Sequence, residues 1–169
     1  MGQYWKLVNL DRHEYVDPHQ LGHGAKLWEQ LANTPGTGAA MVILCAAHRQ
    51  NRGGGDLDFD RDWRDATFPE LATDDPDKKE YLKVAQRTIG RWAGDRIALV
   101  GDYAEPSDLE GYTFIKSDGE IGTAEDIYHA CYEGVFTNIT EDVRKVIEHE
   151  LGGKYVPNKF GLLEFIREQ

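Results

Sequence analysis

The chain is short of cysteine and has no long apolar run. Its two cysteines, Cys45 and Cys131, allow at most one disulfide, and two reduced, packed thiols are expected instead. No stretch reaches the eighteen apolar residues that a membrane-spanning helix needs. The longest apolar stretch, Ala39 to Ala47, is half the required length and reads as a buried element. Basic residues are scarce as well: 19 Lys and Arg stand against 30 Asp and Glu, a formal charge of −11. Lys78-Lys79 is the densest basic pair outside mixed runs, so no local patch offsets that charge. Direct nucleic-acid binding is therefore not expected, because such a surface repels phosphate backbones. The opening Met1 to Lys6 has no charged region followed by an apolar one, so a signal peptide is not expected. Lys6 also stands where a myristoylation motif requires Ser or Thr. A cytoplasmic protein without a membrane partner is the expectation. The acidity has three readings: plain solubility, adaptation to high salt, and imitation of nucleic acid by an acidic surface.

What is present suffices for a core. A chain of 169 residues, 40% hydrophobic and 11% aromatic, predicts one α+β domain over 1–169. A small, mainly antiparallel sheet with five or six helices is expected, because strands and helices mix without a βαβ rhythm. Tyr4–Leu10 alternates as a strand and His13–Val16 as its antiparallel partner. A helix is expected from Gly24 to Asn33, with Ala25, Leu27, Trp28, Leu31 and Ala32 on one stripe. Thr37 to Gln50 fits a buried strand or a buried helix capped by Thr37, and its length favours the helix. Asp75-Pro76 opens another helix, with Asp75 as cap and Pro76 in the first turn. Further on, Tyr112–Lys116 reads as a strand and Ala124–Tyr132 as a helix behind Thr123. Thr140 is expected to cap Glu141–Leu151, and Leu162–Ile166 reads as a terminal apolar helix. Between the first and second halves, an acidic insertion or loop is expected over 57–75.

Several groupings suggest chemistry. The run Asp56-Leu-Asp-Phe-Asp-Arg-Asp62 places oxygen ligands at alternate positions, as a Ca²⁺ loop does. Counted from Asp56, however, an EF-hand needs Gly at Arg61 and Glu at Thr67, so a solvated strand edge is the plainer reading. His19 and His23 are four apart, but Pro18, Gly22 and Gly24 argue against the regular helix that gives this spacing meaning. Cys45-x-x-His48 and His129-x-Cys131 together make a four-ligand zinc set on paper. Asn51-Arg-Gly-Gly-Gly-Asp56 offers backbone amides to a phosphate. It lacks the Gly-Lys-Ser/Thr of a P-loop and reads as a hinge.

The stretch Gly90 to Tyr103, GRWAGDRIALVGDY, is the most informative. Gly94 occupies the third place of a turn, where a positive φ is often required. Ile97 and Leu99 then alternate with Ala98 and Val100 in a strand. Across it, Asp95 and Asp102 stand roughly 23 Å apart and cannot share a metal or a proton. Each is left either to face a ligand alone or to brace its own turn.

The chain resembles a family of small uncharacterised proteins from prokaryotes and their viruses. That resemblance rests on Met1-Gly-Gln-Tyr-Trp-Lys6 with Val8-Asn-Leu-Asp11, Gly24-Ala-Lys-Leu-Trp28, Gly53-Gly-Gly-Asp56, Arg91-Trp-Ala-Gly-Asp95 and Val100-Gly-Asp-Tyr103. It covers about the first hundred residues, with Phe136 to Thr140 added. It implies a cytoplasmic, virus-linked protein and carries no chemistry.

Two functions follow as expectations. The first is a non-enzymatic binding or accessory protein for a small molecule or a protein. Its site would lie where the Gly53–Asp56 joint meets the Trp92/Asp95 turn. Trp92 would give apolar contact, Arg96 charge and Asp95 hydrogen bonds, with His19 and His23 as neighbours. The second is a metal-dependent hydrolase of a nucleotide or phosphoester, with Asp56, Asp95, His19 and His23 around one divalent ion. No cofactor is indicated by any motif.

Overall fold

Alternation along Trp5–Asn9 (β1) divides its side chains between two cores, and this sets the architecture. Leu7 joins one apolar cluster with Val16, Leu44, Trp92, Val143 and Ile147, whereas Val8 joins another with Tyr15, Val100, Ile127, Cys131 and Phe136. A strand buried on both faces must lie inside a sheet covered on both sides. In the computed structural model, which describes residues 2–22, 24–32, 35–47 and 74–169, that sheet has four strands in the order β3-β1-β2-β6. β1 pairs antiparallel with Glu14–Val16 (β2) and with Ile97–Gly101 (β3). Thr137–Asn138 (β6) adds in parallel to β2. Phe114–Ile115 (β4) and Ile121–Gly122 (β5) form one hairpin, and Gly153–Pro157 (β7) and Leu163–Arg167 (β8) form another.

Five α-helices surround these strands among the described residues: Glu29–Ala32 (α1), Thr37–Cys45 (α2), Pro76–Thr88 (α3), Ala124–Tyr132 (α4) and Thr140–Leu151 (α5). The α+β class, mostly antiparallel, is as the sequence pattern predicts. α4 lies on the Val8 side of the sheet, through Ile127, Ala130 and Cys131. α2, α5 and the β7–β8 hairpin cover the Leu7 side, and α3 packs behind α5 through Leu82, Val84, Ala85 and Val146. No helix among the described residues is long and apolar enough to cross a membrane.

Local signals explain most boundaries. Asp75 accepts the Asp77 N–H at 3.0 Å, and Pro76 opens α3. At the start of α4, Asp126 Oδ2 accepts the Thr123 N–H at 2.9 Å. Gly152, with φ of 62°, ends α5. Two caps differ from expectation. Thr140 is the first residue of α5 rather than its cap, and Asn138 Oδ1 accepts its N–H at 2.9 Å. Thr37 likewise lies inside α2, with Gly36 at the cap position.

Two helices differ more. The one expected over Gly24–Asn33 is only the four-residue α1, and Trp28, meant for its buried stripe, is 76% exposed. The physical reason lies at Ala25, whose carbonyl accepts the Trp5 N–H at 2.9 Å and so holds the chain against the start of β1. The terminal helix expected over Leu162–Ile166 is strand β8. Asn158 Oδ1 accepts the N–H groups of Phe160 and Leu162, and Gly161 takes φ of 77°. These residues close a tight hairpin, after which Leu163 and Phe165 point inward with the period of a strand. The stretch 48–73 lies outside the described residues. With it go the Gly53–Gly55 joint, Asp56 and the Asp56–Asp62 run, His48, and all but the end of the acidic insertion over 57–75.

Candidate functional site

β3 has two ends of different construction. At its start, the Trp92–Asp95 turn forms as the glycine pattern predicts: Gly94 has φ of 86°, and the Asp95 N–H donates to Trp92 O at 3.0 Å. Every polar side chain here is engaged within the chain. Asp95 Oδ2 accepts from Asn9 Nδ2 at 2.9 Å and from Arg12 Nε at 2.7 Å. These bonds, the Asn9 amide first, hold the Asp95 carboxyl below the usual range. Arg96 pairs with Asp11 through its own backbone N–H at 2.6 Å and through Nε at 2.8 Å. Asn9 is fully buried, and its Oδ1 accepts the N–H groups of Asp11 and Arg12, shaping the β1–β2 connection.

Trp92 itself is 1% exposed, set among Leu7, Val16 and Leu44. Its indole N–H donates to Glu14 Oε2 at 2.8 Å. Glu14 is also buried and takes the guanidinium of Arg91 in a forked pair. Burial pushes the Glu14 carboxyl up, but the bonds from Arg91 and Trp92 outweigh it and leave the group below its ordinary value. The ring thus has no surface to offer a ligand, and its single polar atom is taken.

His19 lies at the other end of β1. It is exposed, its N–H donates to Asp17 Oδ1 at 3.1 Å, and its ring centroid is 6.0 Å from that of Tyr4. Tyr4 and Asn9 are five residues apart on an extended chain, so His19 and Asp95 are separated by roughly 16 Å. The structure does not bring these two together around one ion. Asp56 and His23 lie outside the described residues. Cys45 and Cys131 are free thiols in opposite cores of the sheet, so they cannot share a zinc ion. Burial pushes the Cys131 thiol up to about 12. Among the described residues no group of three or more His, Cys, Asp or Glu is arranged to hold a metal.

Among the described residues the far end of β3 is open. Asp102 Oδ1 accepts the Tyr4 N–H at 3.0 Å, so this aspartate, like Asp95, fastens β3 to β1. Beyond it Tyr103 is 63% exposed. A cavity of about 340 Å³ runs along the strand here, lined by Gln3, Trp5, Leu99, Gly101, Tyr103 and Asp108 among others. The Gln3 side chain lies so close over Gly101 that a Cβ there would meet it at 2.0 Å. A side chain at this position would have to displace the Gln3 amide.

One cluster beside this end was missed by sequence reasoning. Lys6 is 1% exposed, on the sheet face under α4. Its ammonium lies 3.5 Å from Asp17 Oδ1 and 4.7–5.2 Å from the ring centroids of Tyr132, Tyr128 and Tyr15. Three aromatic faces and one carboxylate stand in for the water that a buried cation loses. The available signal was Tyr128 and Tyr132, four apart on α4 and hence on one helix face. No family model matches the chain, and no curated protein and no solved structure matches it either.

Proposed function

We propose that the protein is a non-enzymatic binding or accessory protein of the cytoplasm, and that it binds through the open end of β3. The observation carrying this reading is the contrast in commitment between the two strand ends. The Asp95 end spends its charged and aromatic groups on the β1–β2 connection. The Tyr103 end combines a groove, an exposed aromatic ring and a strand edge with no partner strand among the described residues. Binding sites are concave, with apolar walls and a few placed polar groups, and this groove fits that description. The resemblance to small proteins of prokaryotes and their viruses accords with an accessory role.

Two measurements on the full chain test the reading. Incubation with nucleoside triphosphates and phosphodiesters in the presence of Mg²⁺, Mn²⁺ or Zn²⁺ is expected to give no turnover. Chelator-sensitive turnover would overturn the non-enzymatic reading. A thermal-shift screen of nucleotides, small molecules and peptides is expected to yield a species that raises Tm. Tyr103→Ala should remove that rise while leaving the unliganded Tm in place. If Tyr103→Ala and the parent chain respond alike, the site is not at this end.

A further inference from the structure

Among the described residues β3 is an outer strand of the sheet, and the segment that follows it is acidic. β3 is the outer strand of the sheet, with β1 on one side and no strand on the other among the described residues. Its pairing with β1 is regular over five residue pairs, without a bulge. The bonds from Leu10 N–H to Arg96 O and from Asp102 N–H to Tyr4 O fix the alternation. Ala98 and Val100 therefore turn their backbone groups to β1, while Ile97 and Leu99 turn theirs outward. Gly101 O is already taken by the Ala104 N–H at 3.2 Å, which ends the available edge at its own N–H.

Sheet proteins normally blunt such an edge with a charge, a proline, a bulge or a very short strand. The sequence Ile97-Ala-Leu-Val-Gly101 has no charged residue and no proline. The groove of about 340 Å³ lies directly along this strand, with Trp5, Tyr103 and Leu109 to receive side chains. The segment 102–110, which gives the groove Tyr103, Ala104, Asp108 and Leu109, carries Asp102, Glu105, Asp108 and Glu110 and no Lys or Arg. An acidic rim beside an unpaired edge favours a cationic strand and repels an acidic one.

We infer that the open end of β3 binds an extended, Lys/Arg-bearing peptide segment of a partner protein by strand addition. This names the partner class for the binding reading above and rests on it. The incoming strand would take the outward N–H and C=O groups of Ile97 and Leu99. Alternate side chains would enter the groove and the cations would meet the acidic rim.

The test combines selection with residue-level amide exchange on the full chain. In the free protein the Ile97 and Leu99 amides should exchange much faster than those of Ala98 and Val100. Selection from a displayed library of random octapeptides should enrich sequences in which Lys or Arg alternates with β-branched or aromatic residues. Synthetic forms of those peptides should slow the Ile97 and Leu99 amides at least tenfold, and should bind more weakly as salt rises. Leu99→Pro should abolish the effect. Glu110→Lys, a surface change that leaves the edge intact, should weaken the cationic peptides several-fold.

Slow Ile97 and Leu99 exchange in the free chain would mean that the chain itself occupies the edge. Slowing that grows with protein concentration alone would assign it to a second copy. Either result overturns the inference, as does a selection that enriches acidic peptides, none, or peptides that protect other residues. In those cases the Tyr103→Ala thermal shift still decides separately whether this end of the molecule binds anything.

Discussion

The two ends of β3 carry the same dipeptide, Gly-Asp, and use it to different effect. Asp95 and Asp102 each accept hydrogen bonds from β1 or the turn after it, so each acts first as a fastener. At the Asp95 end the fastener is one member of a closed polar set that includes Asn9, Asp11, Arg12 and Arg96, with Glu14, Arg91 and Trp92 beneath. At the Asp102 end it stands almost alone, and the groups around it face solvent. A motif read from sequence thus marks where the strand is tied, and the neighbours decide whether the tie is also a surface.

This comparison can be broken at several points, and the largest effect is expected at Trp92. Trp92→Ala should cost about 3–5 kcal/mol, because it removes a fully buried ring. Denaturant unfolding measures that loss directly. Labelling of Cys131, which is buried in the other core, should accelerate alongside it if the two faces unfold together.

Glu14→Gln should cost roughly 2–3 kcal/mol, since it leaves a partly buried guanidinium without its counter-charge. It also carries a pH signature. The folded carboxyl titrates below its ordinary value of 4.5. Its contribution is therefore complete above about pH 4.5 and is lost as pH falls towards the folded value. The variant should lack that component of acid destabilisation, and matching acid profiles for the two proteins would refute it.

Asn9→Ala comes next, at about 1–3 kcal/mol, because two backbone N–H groups lose their acceptor. Asn9→Asp keeps the acceptor but sets a buried carboxylate against Asp95, so it should cost at least as much. Tyr103→Ala is the smallest, within about 0.5 kcal/mol, as expected of an exposed side chain at the open end. A large loss there would show that the two ends are equally structural, and would erase the contrast.

Local grammar made much of the fold legible in sequence. The β1–β2 pair, the Gly94 turn, strand β3, the Asp75-Pro76 start of α3 and the start of α4 behind Thr123 depend on residues within a few positions of one another. The failures share a different cause. Nothing near Gly24 announces that Ala25 is held by Trp5, and without that bond its apolar stripe looks helical. At the C-terminus, Leu162 to Ile166 has enough apolar residues for either period, and the Asn158–Gly161 turn decides for a strand.

The candidate site shows the same divide. Trp92 and Asp95 were visible as a turn, but the partner of Trp92 is 78 residues away at Glu14, and no spacing rule links them. Strand alternation puts Lys6 on the same face as Val8. That this face is roofed by Tyr128 and Tyr132 depends on how α4 docks. Long-range polar partners are chosen by topology, and one sequence does not reveal it.

The parallel addition of β6 beside β2 has a consequence for how the molecule is made. Asp17, just after β2, donates its N–H to Thr140, and 123 residues separate the two. At synthesis rates of about 5–20 residues per second, the early hairpin waits on the order of ten seconds for that last strand. During that interval the outer flank of β2 is uncovered and Lys6 has no tyrosine roof. A half-made chain thus carries an uncovered strand edge, the state in which aggregation during synthesis is favoured.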